Sequence, residues 1–188
     1  MTLTVETSAG CVAATLKLGR AIGRLARPGD VIALYGELGA GKTQLVKGIA
    51  AGAGYRDSRN VTSPSFILVN EYRGHPSRAS GPKGLTIYHV DAYRLKGLCT
   101  ASPPDPVSQL RDELGWDELF HSDGLCVVEW ADRVADLLPT ERLDIRMEHE
   151  SPTRRKITLI PHGARYEKLV HSLKLPLSSG PAHERRQR

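Results

Sequence analysis

Short apolar runs alternate along the chain with stretches in which apolar residues recur every three or four positions, which predicts strands interleaved with helices. The run "LTV" (3–5) predicts a short strand. Over 8–26, Cys11, Thr15, Leu18, Ile22 and Leu25 repeat at helical spacing until Pro28-Gly29 breaks the pattern, so a helix is expected there. "VIALY" (31–35) reads as a buried strand, and a second helix is expected from Lys42 to about Ala53, closing at Gly52 and Gly54.

Further on, "SFILVNEYR" (65–73) and "LTIYHVDAY" (85–93) predict two strands joined by the Gly/Pro-rich segment 74–84. That connection holds no helix, so the pair should be antiparallel. A second irregular insertion spans 97–106, followed by a helical pattern over 107–120, an apolar strand at 125–130 and a short helix at 131–139. Residues 142–150 and 154–161 alternate in part and should pair with each other, ahead of a terminal helix near 163–175. There is no internal repeat and no linker of domain size. One domain over 1–175 is expected, with a basic, disordered tail at 176–188.

The turn between the strand at 31–35 and the helix at 42 gives the pattern a chemistry. Gly36, Glu37, Leu38, Gly39, Ala40, Gly41, Lys42 and Thr43 fit G-x-x-x-x-G-K-[ST], and Gln44 follows in the first turn of the helix. In such a loop backbone N–H groups cradle the α- and β-phosphates, Lys reaches the β/γ-phosphates and the hydroxyl holds Mg²⁺. A strand, a glycine-rich turn and a helix in that order supply the context that a bare pattern match lacks.

Composition narrows the setting. With 188 residues, 40% hydrophobic and 25% charged, the chain is long enough for a proper core, and with only 5% aromatic residues that core must be mainly aliphatic. Neither a membrane-spanning run nor a signal peptide is present in the sequence, which points to a soluble cytoplasmic protein. Cys11, Cys99 and Cys126 are odd in number and far apart, arguing against a disulfide framework or a Cys-x-x-Cys metal site; Cys11 and Cys126 are expected to be buried thiols. The net charge of +5 is modest, and part of it lies in the tail "HERRQR" (183–188).

A phosphate-binding loop needs a carboxylate for its metal. Asp91 closes "LTIYHVD" and Glu129 closes "LCVVE", each an acid delivered to the C-terminal edge of a strand, where ligands collect in open α/β sheets. One would bind Mg²⁺, directly or through water, and the other would position or deprotonate the attacking water; the sequence leaves the two roles exchangeable. Trp130 either stacks on a purine or packs. Absence of a guanine-reading Asn/Thr-Lys-x-Asp motif favours ATP. "VTSPSF" (61–66) offers the hydroxyls of Thr62 and Ser63 on a segment restricted by Pro64, suited to a switch that orders around the γ-phosphate. His89 shares a strand face with Asp91 and is read as a hydrogen-bonded support.

Together "GELGAGKT", "TSPSF…VNEY", "YHVDAYRL" and "VVEWADR" closely resemble the bacterial TsaE (YjeE) family, over roughly residues 8–161. The resemblance implies a three-layer α/β P-loop NTPase fold with a central, mixed and partly antiparallel sheet flanked by helices. It implies Mg²⁺-dependent ATP hydrolysis coupled to two partners, a TsaD-like transferase subunit and a TsaB-like companion, in the synthesis of tRNA threonylcarbamoyladenosine, with tRNA met through the complex. By motif, Lys42 and Thr43 would be the phosphate and magnesium residues, Thr62 the switch hydroxyl, Asp91 and Glu129 the acidic pair, and Trp130 part of the nucleotide pocket. Tyr93 and Arg94 match the family pattern without a defined role. Ser65 stands where Thr is commoner, and the segments 74–84, 97–106 and the tail are longer than the family pattern. A small-molecule kinase would need an Arg-rich lid, for which the chain offers only Arg111 and Arg133; a nucleotide sensor would lack the hydrolytic acids.

Overall fold

In the computed structural model, which describes residues 3–64, 69–76, 84–95, 115, 116, 120 and 123–175, the chain forms β1 (Val5–Ala9), α1 (Val12–Leu25), β2 (Val31–Tyr35), α2 (Lys42–Gly52), β3 (Val69–Arg73), β4 (Thr86–Asp91), β5 (Gly124–Glu129), β6 (Arg142–His149), β7 (Arg155–His162) and α3 (Ala164–Ser172). The seven strands make one sheet in the order β1-β7-β6-β2-β5-β4-β3. β6, β2, β5 and β4 run parallel, while β3 pairs antiparallel with β4 at one side and β7 pairs antiparallel with both β6 and β1 at the other. The fold is therefore α/β with a mixed sheet, as the sequence pattern and the resemblance implied, and β3 pairs with β4 in the expected sense.

Period-two alternation sorts the strand residues into two cores. Ile32, Leu34, Leu125, Val127, Leu143 and Ile145 face the layer built by α1, α2 and α3. Val31, Ala33, Val90, Cys126 and Val128 face the opposite side, where Trp116, Phe120, Val134 and Leu138 cover them. The central strands are buried on both faces, which is why they read as continuous apolar runs. α1 and α2 meet through glycines: a Cβ on Gly23 would stand 2.0 Å from the Ile49 carbonyl oxygen, and one on Gly52 2.3 Å from that of Arg20. The two backbones thus touch directly, and α2 is fixed in the helical layer.

Four local expectations change. The first strand is not at 3–5 but at Val5–Ala9, paired with β7, because "ETSA" carries little apolar signal at a sheet edge. The helix expected over 8–26 begins only at Val12, with Cys11 at its N-cap. Cys11 is exposed rather than buried, whereas Cys126 is buried. The segment 131–139 forms two 3-10 turns, Ala131–Arg133 and Ala135–Leu137, instead of one α-helix; Trp130 enters it in the left-handed region (φ 58°) and Pro139 follows. The insertion at 97–106, the tail and most of the helix expected over 107–120 fall outside the described residues. No helix among the described residues is long and apolar enough to cross a membrane.

Candidate nucleotide site

Strand alternation decides which polar side chains meet. On β4, Ile87, His89 and Asp91 share one face, as Leu125, Val127 and Glu129 do on β5; Ile87, Leu125 and Val127 lie in the core beneath the helices. His89, Asp91 and Glu129 are thereby turned toward the α2 side. β4 and β5 run parallel with Asp91 opposite Glu129, so both acids emerge at one edge of the sheet. β2 lies next to β5 in the same direction and releases the loop Gly36–Gly41 at that edge.

Within the loop Gly36, Gly39 and Gly41 have φ of 144°, 76° and 99°, a region in which a side chain would be strained. Gly41 is also the N-cap of α2 and supplies no side-chain acceptor, so the first amides of the helix have no side-chain cap. Such an uncapped helix start behind a glycine-rich turn is an anion-binding arrangement. Arg155 anchors the turn from the other side by donating to the carbonyls of Gly39 and Ala40, each at 3.2 Å.

Lys42 is buried, and its Nζ donates to the carbonyls of Gly36 (2.6 Å) and Glu37 (3.0 Å). It also stands 3.5 Å from the centroid of the Trp130 ring. Burial pushes the ammonium below its ordinary pKa, opposed by the nearby carboxylates of Glu129, Asp132 and Asp91. The same ring faces the Arg133 guanidinium at 5.3 Å and the Tyr93 ring at 5.0 Å.

Each acid is held by defined partners. Glu129 is 2% exposed; its Oε2 accepts from Thr43 Oγ1 at 3.1 Å, and its Oε1 lies 2.8 Å from Nε2 of the fully buried His89. A carboxylate only accepts, so Nε2 is the protonated nitrogen of His89. His89 Nδ1 has no hydrogen-bond partner. Asp91, also 2% exposed, accepts from the Tyr93 N–H at 2.8 Å and from the Ser63 hydroxyl. Without these contacts a charge at such burial would be costly. Among the described residues no group of three or more His, Cys, Asp or Glu side chains is arranged to hold a metal ion by itself. The available donors, two carboxylates and the hydroxyls of Thr43 and Ser63, are hard oxygens, which fit Mg²⁺ completed by water and phosphate better than zinc.

A cleft of about 550 Å³ joins these groups. Of the residues expected from sequence, Leu38, Gly39, Gly41, Lys42, Thr43, Gln44, Asp91, Glu129 and Trp130 line it, together with Ser63, Tyr93 and Arg94. Gly36 and Glu37 take part through the carbonyls that hold Lys42, and Ala40 is buried. Thr62 is exposed and does not line the cleft. Its carbonyl accepts from the Tyr72 hydroxyl at 3.2 Å and from Asn70 Nδ2 at 3.3 Å, which leaves the neighbouring Ser63 as the hydroxyl facing the acids. Arg155 belongs to no motif; beside Arg154 and Lys156 at the start of β7 it looks in sequence like any solvated charge. A second hollow of about 480 Å³ lies against the opposite side of the loop, between Gly39–Gly41 and Gln44 on one hand and Cys11, Val12, Pro152 and Arg155 on the other.

A family model described as "Threonylcarbamoyl adenosine biosynthesis protein TsaE" matches residues 11–157. The chain is 37% identical over 159 residues to the tRNA threonylcarbamoyladenosine biosynthesis protein TsaE of Bacillus subtilis, covering 85% of this chain and 87% of that one. It is 40% identical over 132 residues to the protein of the same name from Streptomyces coelicolor, covering 70% and 77%. The crystal structure of Bacillus subtilis YdiB superposes with a TM-score of 0.67 at 32% identity, covering 92% of this chain and 95% of that one.

Proposed function

The chain belongs to the TsaE family, and on that premise we propose that it is a cytoplasmic, Mg²⁺-dependent ATPase that drives or resets a TsaD-like transferase subunit and its TsaB-like companion during tRNA threonylcarbamoyladenosine synthesis. The observation that carries this reading is the contact between Thr43 of the glycine-rich loop and Glu129 at the end of β5. It joins a phosphate-binding element to a buried acid inside one cleft.

In this reading the loop amides from Gly36 to Gln44 hold the phosphates, and Lys42 turns from the carbonyls of Gly36 and Glu37 toward the β/γ-phosphates. Mg²⁺ would neutralise phosphate charge there, held by Thr43 with Asp91, Glu129 or both. Of the two acids, the one less engaged with the metal orients water, and His89 fixes the rotation of the Glu129 carboxylate through Nε2–H. The Thr62–Ser63 segment is the switch: Ser63 bonds Asp91, so a change at the acids is felt by the segment's backbone. The acids mark the γ-phosphate end of the cleft. The nucleoside therefore leaves on the other side of the loop, where the second hollow lies, and Trp130 serves the phosphate end by orienting Lys42.

Steady-state ATP hydrolysis by the full chain, alone and with the TsaD-like and TsaB-like proteins, tests the proposal. Mg²⁺-dependent turnover that rises when the pair is added supports it. No turnover in either condition refutes it.

A further inference from the structure

The far end of α2 carries a concave surface of another character. Arg20 and Arg24, one turn apart on α1, and Arg56, beyond the end of α2, surround a hollow of about 450 Å³ that Gly52, Tyr55 and Ser58 also line. All three arginines are exposed. No acidic side chain lines the hollow; the exposed Asp57 lies between the lining residues Arg56 and Ser58 without lining it. Among the described residues none of the three guanidinium groups has an ion-pair or hydrogen-bond partner.

Cations at the end of a helix commonly just offset its dipole or bond its last carbonyls. Arg24, in the last turn of α1, does the former for its own helix, but none of the three donates to a carbonyl, and Arg20 and Arg56 stand outside the last turns of α1 and α2. They also continue a line. Lys17, Arg20 and Arg24 are exposed and recur at spacings that keep them on one side of α1, a stripe of roughly 10 Å at 1.5 Å per residue, and the exposed Arg27 follows just past the helix end. The stripe is rigidly mounted, because the Arg20 backbone lies against Gly52 of α2 too closely for a Cβ to fit between.

We propose that this hollow and stripe bind the phosphodiester backbone of RNA, so that the chain touches tRNA itself and not only through its partners; the choice of tRNA rests on the function proposed above. Unpaired guanidinium forks match phosphate oxygens in geometry and charge, and a line of them follows a chain of phosphates better than a single acidic side chain. Tyr55, the aromatic residue among the described residues that line the hollow, packs on Tyr72 with ring centroids 5.1 Å apart, so phosphate contacts rather than base stacking are expected to dominate. Contacts here position the RNA without reading its bases. The site stands at the C-terminal end of α2 while Lys42 and Thr43 stand at its N-terminal end, about 15 Å away along the axis. Nucleotide binding should therefore be untouched by changes in it.

Fluorescence anisotropy with a labelled, unmodified tRNA transcript reading an A-initial codon, titrated with the full chain between 50 and 200 mM salt as in ordinary salt-dependence work, tests this directly. Wild type should bind with salt-sensitive affinity. Arg20→Gln/Arg24→Gln should weaken binding by roughly tenfold and lower the salt slope by about two, while Arg56→Gln alone lowers it by about one. ATP affinity and the unfolding midpoint should not change. Absence of tRNA binding by wild type, or unchanged binding by both variants, overturns the proposal. So does a loss of tRNA binding that follows from Arg185→Ala/Arg186→Ala and not from the hollow, or a loss of association with the two partner proteins in place of tRNA. Should wild type bind tRNA through these arginines and yet fail to bind ATP, the nucleotide reading falls and this one stands.

Discussion

Thr43 and Glu129, 86 positions apart in sequence, are joined by a 3.1 Å hydrogen bond from the hydroxyl to the carboxylate. The bond exists because β5 places Glu129 on the α2 face of the sheet and α2 begins beside the same edge. Thr43→Ala removes an oxygen from the proposed metal set and the neutral partner of a buried charge. We expect the Mg²⁺ concentration that half-saturates ATP binding to rise at least about tenfold, on the scale of a hydrogen bond to a charged group at about 1.5–3 kcal/mol. Thr43→Ser should restore it. Calorimetric titration of ATP across a Mg²⁺ series is the check, and an unchanged Mg²⁺ dependence in Thr43→Ala removes the ligand role.

One thiol reports on the second hollow and a buried one serves as its control. Burial pushes the Cys126 thiol up to about 12, which makes it a poor nucleophile near neutral pH, while Cys11 is exposed and lines the hollow beside the loop. Iodoacetamide at mildly alkaline pH should alkylate Cys11 and spare Cys126 in the folded protein. Saturating Mg·ATP should slow Cys11 modification several-fold if the nucleoside occupies that hollow. Peptide-level mass spectrometry reads both sites, and equal Cys11 rates with and without nucleotide place the nucleoside elsewhere.

The seam between α1 and α2 predicts a sharp contrast between two glycines. Gly23→Ala drives a Cβ to 2.0 Å from the Ile49 carbonyl oxygen, so one helix must move, at a cost of about 3 kcal/mol or more. Gly10→Ala meets nothing within 4 Å and should change stability by less than about 0.5 kcal/mol. Urea unfolding of both variants measures the difference. A Gly23→Ala variant as stable as Gly10→Ala would mean that the helices are not packed backbone to backbone.

What the sequence made legible was whatever depends on local chemistry. "VIALY" and "LCVVE" announce strands because both faces are buried, and the glycine-rich loop follows from positive φ at spaced positions. The acids at 91 and 129 were visible as single charges closing apolar runs, and His89 could be placed by alternation alone. Position along the chain was less telling where tertiary contacts decide. The first strand is expected at 3–5 and lies at Val5–Ala9, because its pairing with β7, not its own hydropathy, sets its extent. Thr62 and Ser63 look equivalent in sequence, and only the capture of the Thr62 backbone by Tyr72 turns Ser63 inward. Arg155 gains its place from a loop 115 residues away, and the exposure of Cys11 follows from its N-cap position at the start of α1. The left-handed backbone of Trp130, which broke the expected helix after β5, has no local signal in a residue type that rarely adopts it.

The central claim is that ATP hydrolysis at this cleft resets the partners for repeated tRNA modification. The number of threonylcarbamoyladenosine products formed per TsaD-like subunit in a reconstituted reaction, with wild type and with Glu129→Gln, tests it most directly. Glu129→Gln keeps the shape and hydrogen bonding of the side chain but removes its charge, so hydrolysis should fall by on the order of 10²-fold while ATP still binds. The account predicts many products per subunit with wild type and about one with Glu129→Gln, as without the protein. Multiple turnover sustained by a Glu129→Gln protein that has lost hydrolysis would contradict it and leave a purely structural role in the complex.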